Sequence, residues 1–225
     1  MAKFYHGRVK LSERMALAAF IACLIPVVLS GCTQAVSASL PPVYTKIAPG
    51  SETATFAAGC FWSMEAIFQQ LKGVEKVEPG CAGGSLPNPS YEQVETGTTG
   101  HAESINITYD PKVISYSDLL KVLLTVRDPT TLNRQGPDAG PQYRSAIFYR
   151  SPAQKQAALE AIQKTAAAHL WSGHIVTTVQ PFTNFYPAES YHDDYYRHHP
   201  NESYCQFVIA PEIADFRSKF RSKLK

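Results

Sequence analysis

The stretch ATFAAGCFWSMEAIF, residues 54–68, changes its periodicity in the middle, and that change decides the fold. Together with Thr53, its first part gives TATFAA, a run of small and β-forming residues that reads as a strand. After Gly59, the segment CFWSMEAIFQQL spaces Phe61, Ile67, Phe68 and Leu71 as a helix does, and Gly73 supplies the stop. A strand therefore hands over to a helix at Cys60. A thiol there faces unpaired backbone N–H groups and the positive end of the helix dipole, both of which favour thiolate. Phe61 and Trp62 are too much aromatic surface for an exposed turn; as a wall beside a nucleophile they suit a small apolar group.

The same alternation continues outward. GVEKVEP (73–79) reads as a second strand, followed by a Gly-rich turn, GCAGGS, that lacks the Lys-Ser/Thr of a phosphate loop. ESINITYDP puts Ile105, Ile107 and Tyr109 on one face of a half-buried strand, and SYSDLLKVLLTV is a helix behind a serine cap. YRSAIFY and HIVTTVQPF are further strands. Between them SPAQKQAALEAIQKTAAAH is a helix capped by Ser151 with Pro152 in its first turn. The expected class is α/β of the α+β kind: a single domain over 52–225, with a mixed sheet, helices packed on it in a two-layer sandwich, and a long C-terminal coil leading into Cys205. A chain of 225 residues with 44% hydrophobic content can bury one sizeable core, and a net charge of +2 gives no support to a nucleic-acid partner.

The N-terminus suggests an address. Lys3, Arg8, Lys10 and Arg14 precede an apolar run from Met15 to Leu29, short for a membrane span but suited to a signal peptide over residues 1–31. The run ends in LSGC, which resembles the lipobox of bacterial lipoproteins and marks Cys32 for lipidation. Residues 32–51, polar and Pro-containing, read as a tether. The expected location is extracytoplasmic, as a bacterial membrane-anchored lipoprotein in the periplasm or at the cell surface. Of five cysteines the domain then keeps Cys60, Cys81 and Cys205. An odd thiol in an oxidising compartment is reactive, blocked or deeply buried.

GCFWS (59–63), GCAGG (80–84), NPSYEQV (88–94), GTTGHAE (97–103), DPTTLNRQGPDAGPQYRSAIF (128–148) and FYPAESYHDDYY (185–196) together resemble the type A peptide methionine sulfoxide reductases, in the family's order and across nearly the whole domain. The resemblance implies reduction of methionine S-sulfoxide. Cys60 is then the nucleophile and Glu103 the proton donor, with a raised pKa. Tyr91 and Tyr143 would hydrogen-bond the sulfoxide oxygen, Asp138 would order the site through water, and Phe61 and Trp62 would hold the substrate methyl. Cys205 takes the place of the resolving cysteine, so that a Cys60–Cys205 disulfide forms and a thioredoxin-like reductant opens it. No bound cofactor and no metal are implied, and a monomer is expected.

Two positions depart from the family pattern. Ser63 stands where many relatives have glycine. Cys81, where an aromatic or threonine is usual, is either inert and buried or an alternative partner for Cys60. The histidines and aspartates of YHDDYYRHHP match no standard zinc spacing. A cysteine hydrolase pairing Cys60 with His101 or His192, and a non-catalytic lipoprotein with a static disulfide, are rivals from other classes that the motif series disfavours.

Overall fold

The computed structural model describes residues 48–225; the expected signal peptide, Cys32 and the tether as far as residue 47 lie outside the described residues. In chain order the elements are β1 (Glu52–Ala58), α1 (Phe61–Phe68), β2 (Val74–Ala82), α2 (Tyr91–Glu95), β3 (Ala102–Tyr109), α3 (Tyr116–Val126), the two-residue strands β4 (Arg134–Gln135) and β5 (Asp138–Ala139), β6 (Ser145–Tyr149), α4 (Pro152–Ala167), β7 (Thr178–Pro181), β8 (Phe185–Pro187), α5 (Tyr195–His198) and α6 (Ala210–Lys219).

Six strands form one mixed sheet in the order β7-β6-β1-β3-β2-β8. All neighbours are antiparallel except β6 and β7, which are parallel and joined through α4. A parallel pair needs such a crossover, and a helix with a Ser151 cap and Pro152 in its first turn supplies one. β1 lies central and is buried on both faces after Glu52, which is why TATFAA carries small residues and one large one. On one face Phe56 meets Phe68 of α1 at 6.1 Å and Tyr116 of α3 at 5.8 Å between ring centroids. Leu119, Leu120 and Leu123 of α3 and Phe216 of α6 complete that core. The opposite face carries a smaller cluster of Ala57, Ala82, Ala102, Ala146, Phe148 and Phe185. Ser115 caps α3 in a reciprocal box with Asp118, as the sequence led us to expect.

Two segments differ from the sequence reading. β2 does not stop at Pro79 but runs through Gly80, Cys81 and Ala82. Backbone partners on both sides hold it extended, β3 at Ser104 to Ala102 and β8 at Pro187 to Phe185, and pairing of this kind overrides a glycine's weak strand preference. The C-terminal coil is interrupted by short helical turns, and past it Cys205–Ile209 forms a π-helical turn that continues into α6, with Pro211 in that helix's first turn.

The handover at Gly59 depends on its left-handed backbone, φ +80°, and on tight packing. A Cβ there would sit 2.5 Å from Nη2 of Arg127 and 2.5 Å from Cβ of Gln135. Gly59→Ala is therefore expected to lower the unfolding free energy by at least the roughly 1–3 kcal/mol that a non-glycine residue loses in this conformation. Urea denaturation measures it, and a loss below about 0.5 kcal/mol, the range of an inert surface change, would contradict this packing.

Candidate active site

Cys60 is the N-cap of α1, following the Gly59 turn. The buried Arg127 fixes that turn from behind, its Nε donating to the carbonyl of Ala58 at 2.7 Å. The same guanidinium donates to Ser63 Oγ and pairs with Glu212 of α6, tying the cysteine's helix to the C-terminal one. The Cys60 thiol is 6% exposed, and the Trp62 N–H and the Tyr204 hydroxyl hydrogen-bond to it.

The thiol is not the depressed one that its helix position suggests. Burial, and then the neighbouring Glu103 carboxyl, hold its pKa well above 9.0, and the two hydrogen bonds only partly offset them. A helix N-terminus is worth about 0.3–2 kcal/mol, whereas full burial of a titratable group can cost about 4–7 kcal/mol. Burial wins, and the resting group is a thiol.

Glu103, second residue of β3, sits opposite Cys81 of β2. It is 2% exposed, and its Oε2 accepts the Phe61 N–H at 2.9 Å. Burial first pushes its pKa well up; the Phe61 N–H opposes that, while Glu95 and Asp138 add to the rise. The carboxyl is thus held toward its protonated form, against the backbone of the residue that follows the thiol.

Aromatic rings enclose the pair. Phe61 stacks on Tyr91 at 6.0 Å. Trp62 lies nearly coplanar on Tyr195, 3.7 Å between centroids and 7° between planes, and its Nε1–H donates to His192 Nδ1 at 3.0 Å. His192 packs 4.4 Å from Tyr91 and 5.0 Å from Phe61, and burial lowers its pKa, so the imidazole is neutral. The turn carrying Tyr195 is secured by buried Glu65 of α1, whose Oε2 accepts the N–H of Asp194, a residue with φ +52°. Phe61, Cys81, Tyr91, Glu103, Tyr186 and Glu189 line the adjoining cavity.

The residues singled out in the sequence therefore converge, with qualifications in three cases. Tyr143 approaches Glu103, but its hydroxyl donates to Glu95 at 3.0 and 3.1 Å. Asp138 accepts the hydroxyl of Tyr204. Cys205 is fully buried in the π-helical turn, and it directly follows Tyr204, the residue that reaches the Cys60 thiol. All three cysteines of the described residues are free thiols. Cys81 is 6% exposed with its pKa pushed up to about 12, chiefly by burial. Ser63 donates to Glu212, so the hydroxyl that departs from the family glycine has a partner. Sequence reasoning missed Glu95, Tyr195 and Tyr204. Of these only Tyr204, adjacent to Cys205, carried a positional hint.

Comparison with known proteins gives one family. The peptide methionine sulfoxide reductase model matches residues 52–224. A peptide methionine sulfoxide reductase MsrA of Thermus thermophilus is 52% identical over 174 residues, 77% of this chain and 98% of that one. Among solved structures, methionine sulfoxide reductase A of Corynebacterium diphtheriae shares 37% identity with a TM-score of 0.64, covering 69% of this chain and 78% of its own. Reduced Mxr1 of Saccharomyces cerevisiae shares 34% identity with a TM-score of 0.66, covering 72% and 93%.

A thiol held above its ordinary 9.0 by burial gives a specific pH response. Alkylation of Cys60 by iodoacetamide, followed by mass spectrometry, is expected to be slow at neutral pH and still accelerating past pH 9.0. A plateau below pH 8 would show that the helix N-terminus, not burial, sets this thiol.

Proposed function

The chain belongs to the peptide methionine sulfoxide reductase family, and from that premise we propose that it reduces the S epimer of methionine sulfoxide in peptides and proteins, through a sulfenic acid on Cys60. The reading is carried by the Glu103 carboxyl, buried, with its pKa pushed up, and bonded to the N–H of the residue after the nucleophile. Sulfoxide reduction needs this pairing, because the oxygen must gain a proton as sulfur attacks sulfur.

The stoichiometry is one Cys60 thiol and one sulfoxide giving one Cys60 sulfenic acid and one thioether. The substrate's S–O bond breaks, an S–O bond to Cys60 forms, and two electrons pass from the cysteine sulfur to the sulfoxide. Glu103 gives its proton to the oxygen, which makes the substrate sulfur more electrophilic and lets a thiol of high pKa react as its own proton leaves. Phe61 and Trp62 would hold the substrate methyl, with Trp62 kept in place by Tyr195 and His192. Tyr91 and, once turned from Glu95, Tyr143 would bond the oxygen; Asp138, by way of Tyr204, would align the thiol.

Cys205 then condenses with the sulfenic acid, releasing water and forming a Cys60–Cys205 disulfide. A thioredoxin-like dithiol reopens it by exchange, so no bound cofactor is called for. The π-helical turn around Cys205 supports this role, since such a turn is a local defect that can unwind without dismantling α6. The lipobox-like LSGC and the preceding apolar run support an extracytoplasmic, lipid-anchored enzyme that repairs oxidised proteins.

Two experiments test the proposal. With separated epimers of a methionine sulfoxide peptide and a thioredoxin-like reductant, wild type should convert the S form alone. Cys60→Ser should convert none, and Cys205→Ser should stop near one methionine per enzyme. Conversion of the R form, or full activity of Cys60→Ser, would overturn it. For location, the full chain expressed in a bacterium should partition with membranes, whereas Cys32→Ser should not; identical partitioning would remove the lipid anchor.

A further inference from the structure

The proposed cycle closes only when the Cys205 sulfur meets the Cys60 sulfur, and at rest both are buried free thiols. One of the two segments must therefore move. The Cys60 side is held: Arg127 Nε donates to the Ala58 carbonyl at 2.7 Å and Nη1 to Ser63 Oγ at 3.1 Å, so one guanidinium spans the turn before and after the nucleophile. Cys205 instead opens the π-helical turn Cys205–Ile209, a form found mainly as single-turn interruptions of α-helices. Cys205 is thus the partner that travels.

The travelling segment is bounded by two side-chain contacts of unequal strength. On its N-terminal side the neutral Tyr204 hydroxyl donates to Asp138. On its C-terminal side Glu212, in the first turn of α6, accepts from both Arg127 Nη1 and Ser63 Oγ. Arg127 is 2% exposed and Ser63 is fully buried, so this second contact is a desolvated ion pair, costly to break. The segment therefore opens from the Tyr204 side and pivots on Glu212. We propose that Glu212 is a positioning residue for the resolving step: through Arg127 and Ser63 it pins α6 against the Cys60 turn, so that the unwound segment delivers its thiol to the nucleophile. A segment pinned at one end beside its target samples a small volume, which raises the effective concentration of its thiol there. In the step so assisted the Cys205 sulfur attacks the Cys60 sulfenic sulfur. The S–O bond breaks as the S–S bond forms, and the hydroxyl leaves as water with the Cys205 proton. The inference rests on Cys205 being the resolving cysteine, and it gives the Ser63 hydroxyl a role as the second contact between Glu212 and α1.

The test follows one turnover of the full chain, reduced beforehand and without recycling reductant, on a methionine S-sulfoxide peptide, for wild type, Glu212→Ala and Glu212→Gln. Methionine is followed by chromatography, and the Cys60–Cys205 disulfide by mass spectrometry after acid quenching and alkylation of free thiols. Both variants should form the single methionine within about twofold of the wild-type rate, because Arg127 keeps its bonds to Ala58 and Ser63. Disulfide formation should slow about tenfold in Glu212→Ala and about threefold in Glu212→Gln, which keeps the length and an acceptor oxygen. Glutamine also keeps the test decisive if alanine, by stranding the buried Arg127 cation, impairs folding. Disulfide formation at the wild-type rate in the variants overturns the inference. Equal slowing of both steps does the same, since it marks a merely structural role. If wild type forms methionine but no Cys60–Cys205 disulfide, the assignment of Cys205 falls and this inference with it; if it forms no methionine, the proposed reaction itself falls.

Discussion

The hydrogen bond from the Phe61 N–H to the Glu103 carboxyl joins the two halves of this molecule's chemistry. The donor is one of the N–H groups that the first turn of any helix leaves unpaired, and the acceptor comes from the neighbouring strand across the sheet. That single contact explains the position of α1 over β3, the burial of an acidic side chain, and the placing of a proton beside a thiol. A carboxylate with one backbone donor is under-solvated at 2% exposure, so it keeps its proton. The same sealing keeps the thiol protonated and pushes the carboxyl toward its neutral form.

Holding that junction still requires a second layer. Arg127 reaches from the end of α3 to the Ala58 carbonyl and to Glu212, so β1, α1 and α6 meet at one buried cation. Losing one partner of such a pair leaves a buried charge uncompensated, which costs about 3–5 kcal/mol. On the open side, Trp62 is held by Tyr195, His192 and, through the Asp194 backbone, Glu65. An aromatic wall fixed on two sides favours a bound methyl in one orientation, which discrimination between sulfoxide epimers demands.

Much of this was legible in the residues. The strand-to-helix switch at Gly59, the caps at Ser115 and Ser151, and the placement of Ile105, Ile107 and Tyr109 on β3 rest on local rules that packing did not override. The protonation state of Cys60 did not follow, because a helix dipole can be read locally whereas burial and the nearby Glu103 carboxyl come only with the folded packing. The continuation of β2 through Gly80 was hidden for a similar reason: its partners β3 and β8 lie far along the chain. Glu95 and Tyr195 resembled ordinary surface residues until α2 and the 188–196 segment closed over the site.

The central claim is that Glu103 carries a proton at neutral pH while lying against the nucleophile's helix. Infrared difference spectroscopy of wild type against Glu103→Gln at pH 7 tests it directly. The account predicts a protonated-carboxyl band in wild type that is lost in the variant, which marks a neutral acid in an apolar setting. An ionised-carboxylate band in its place would contradict the account and leave the site without a proton to give.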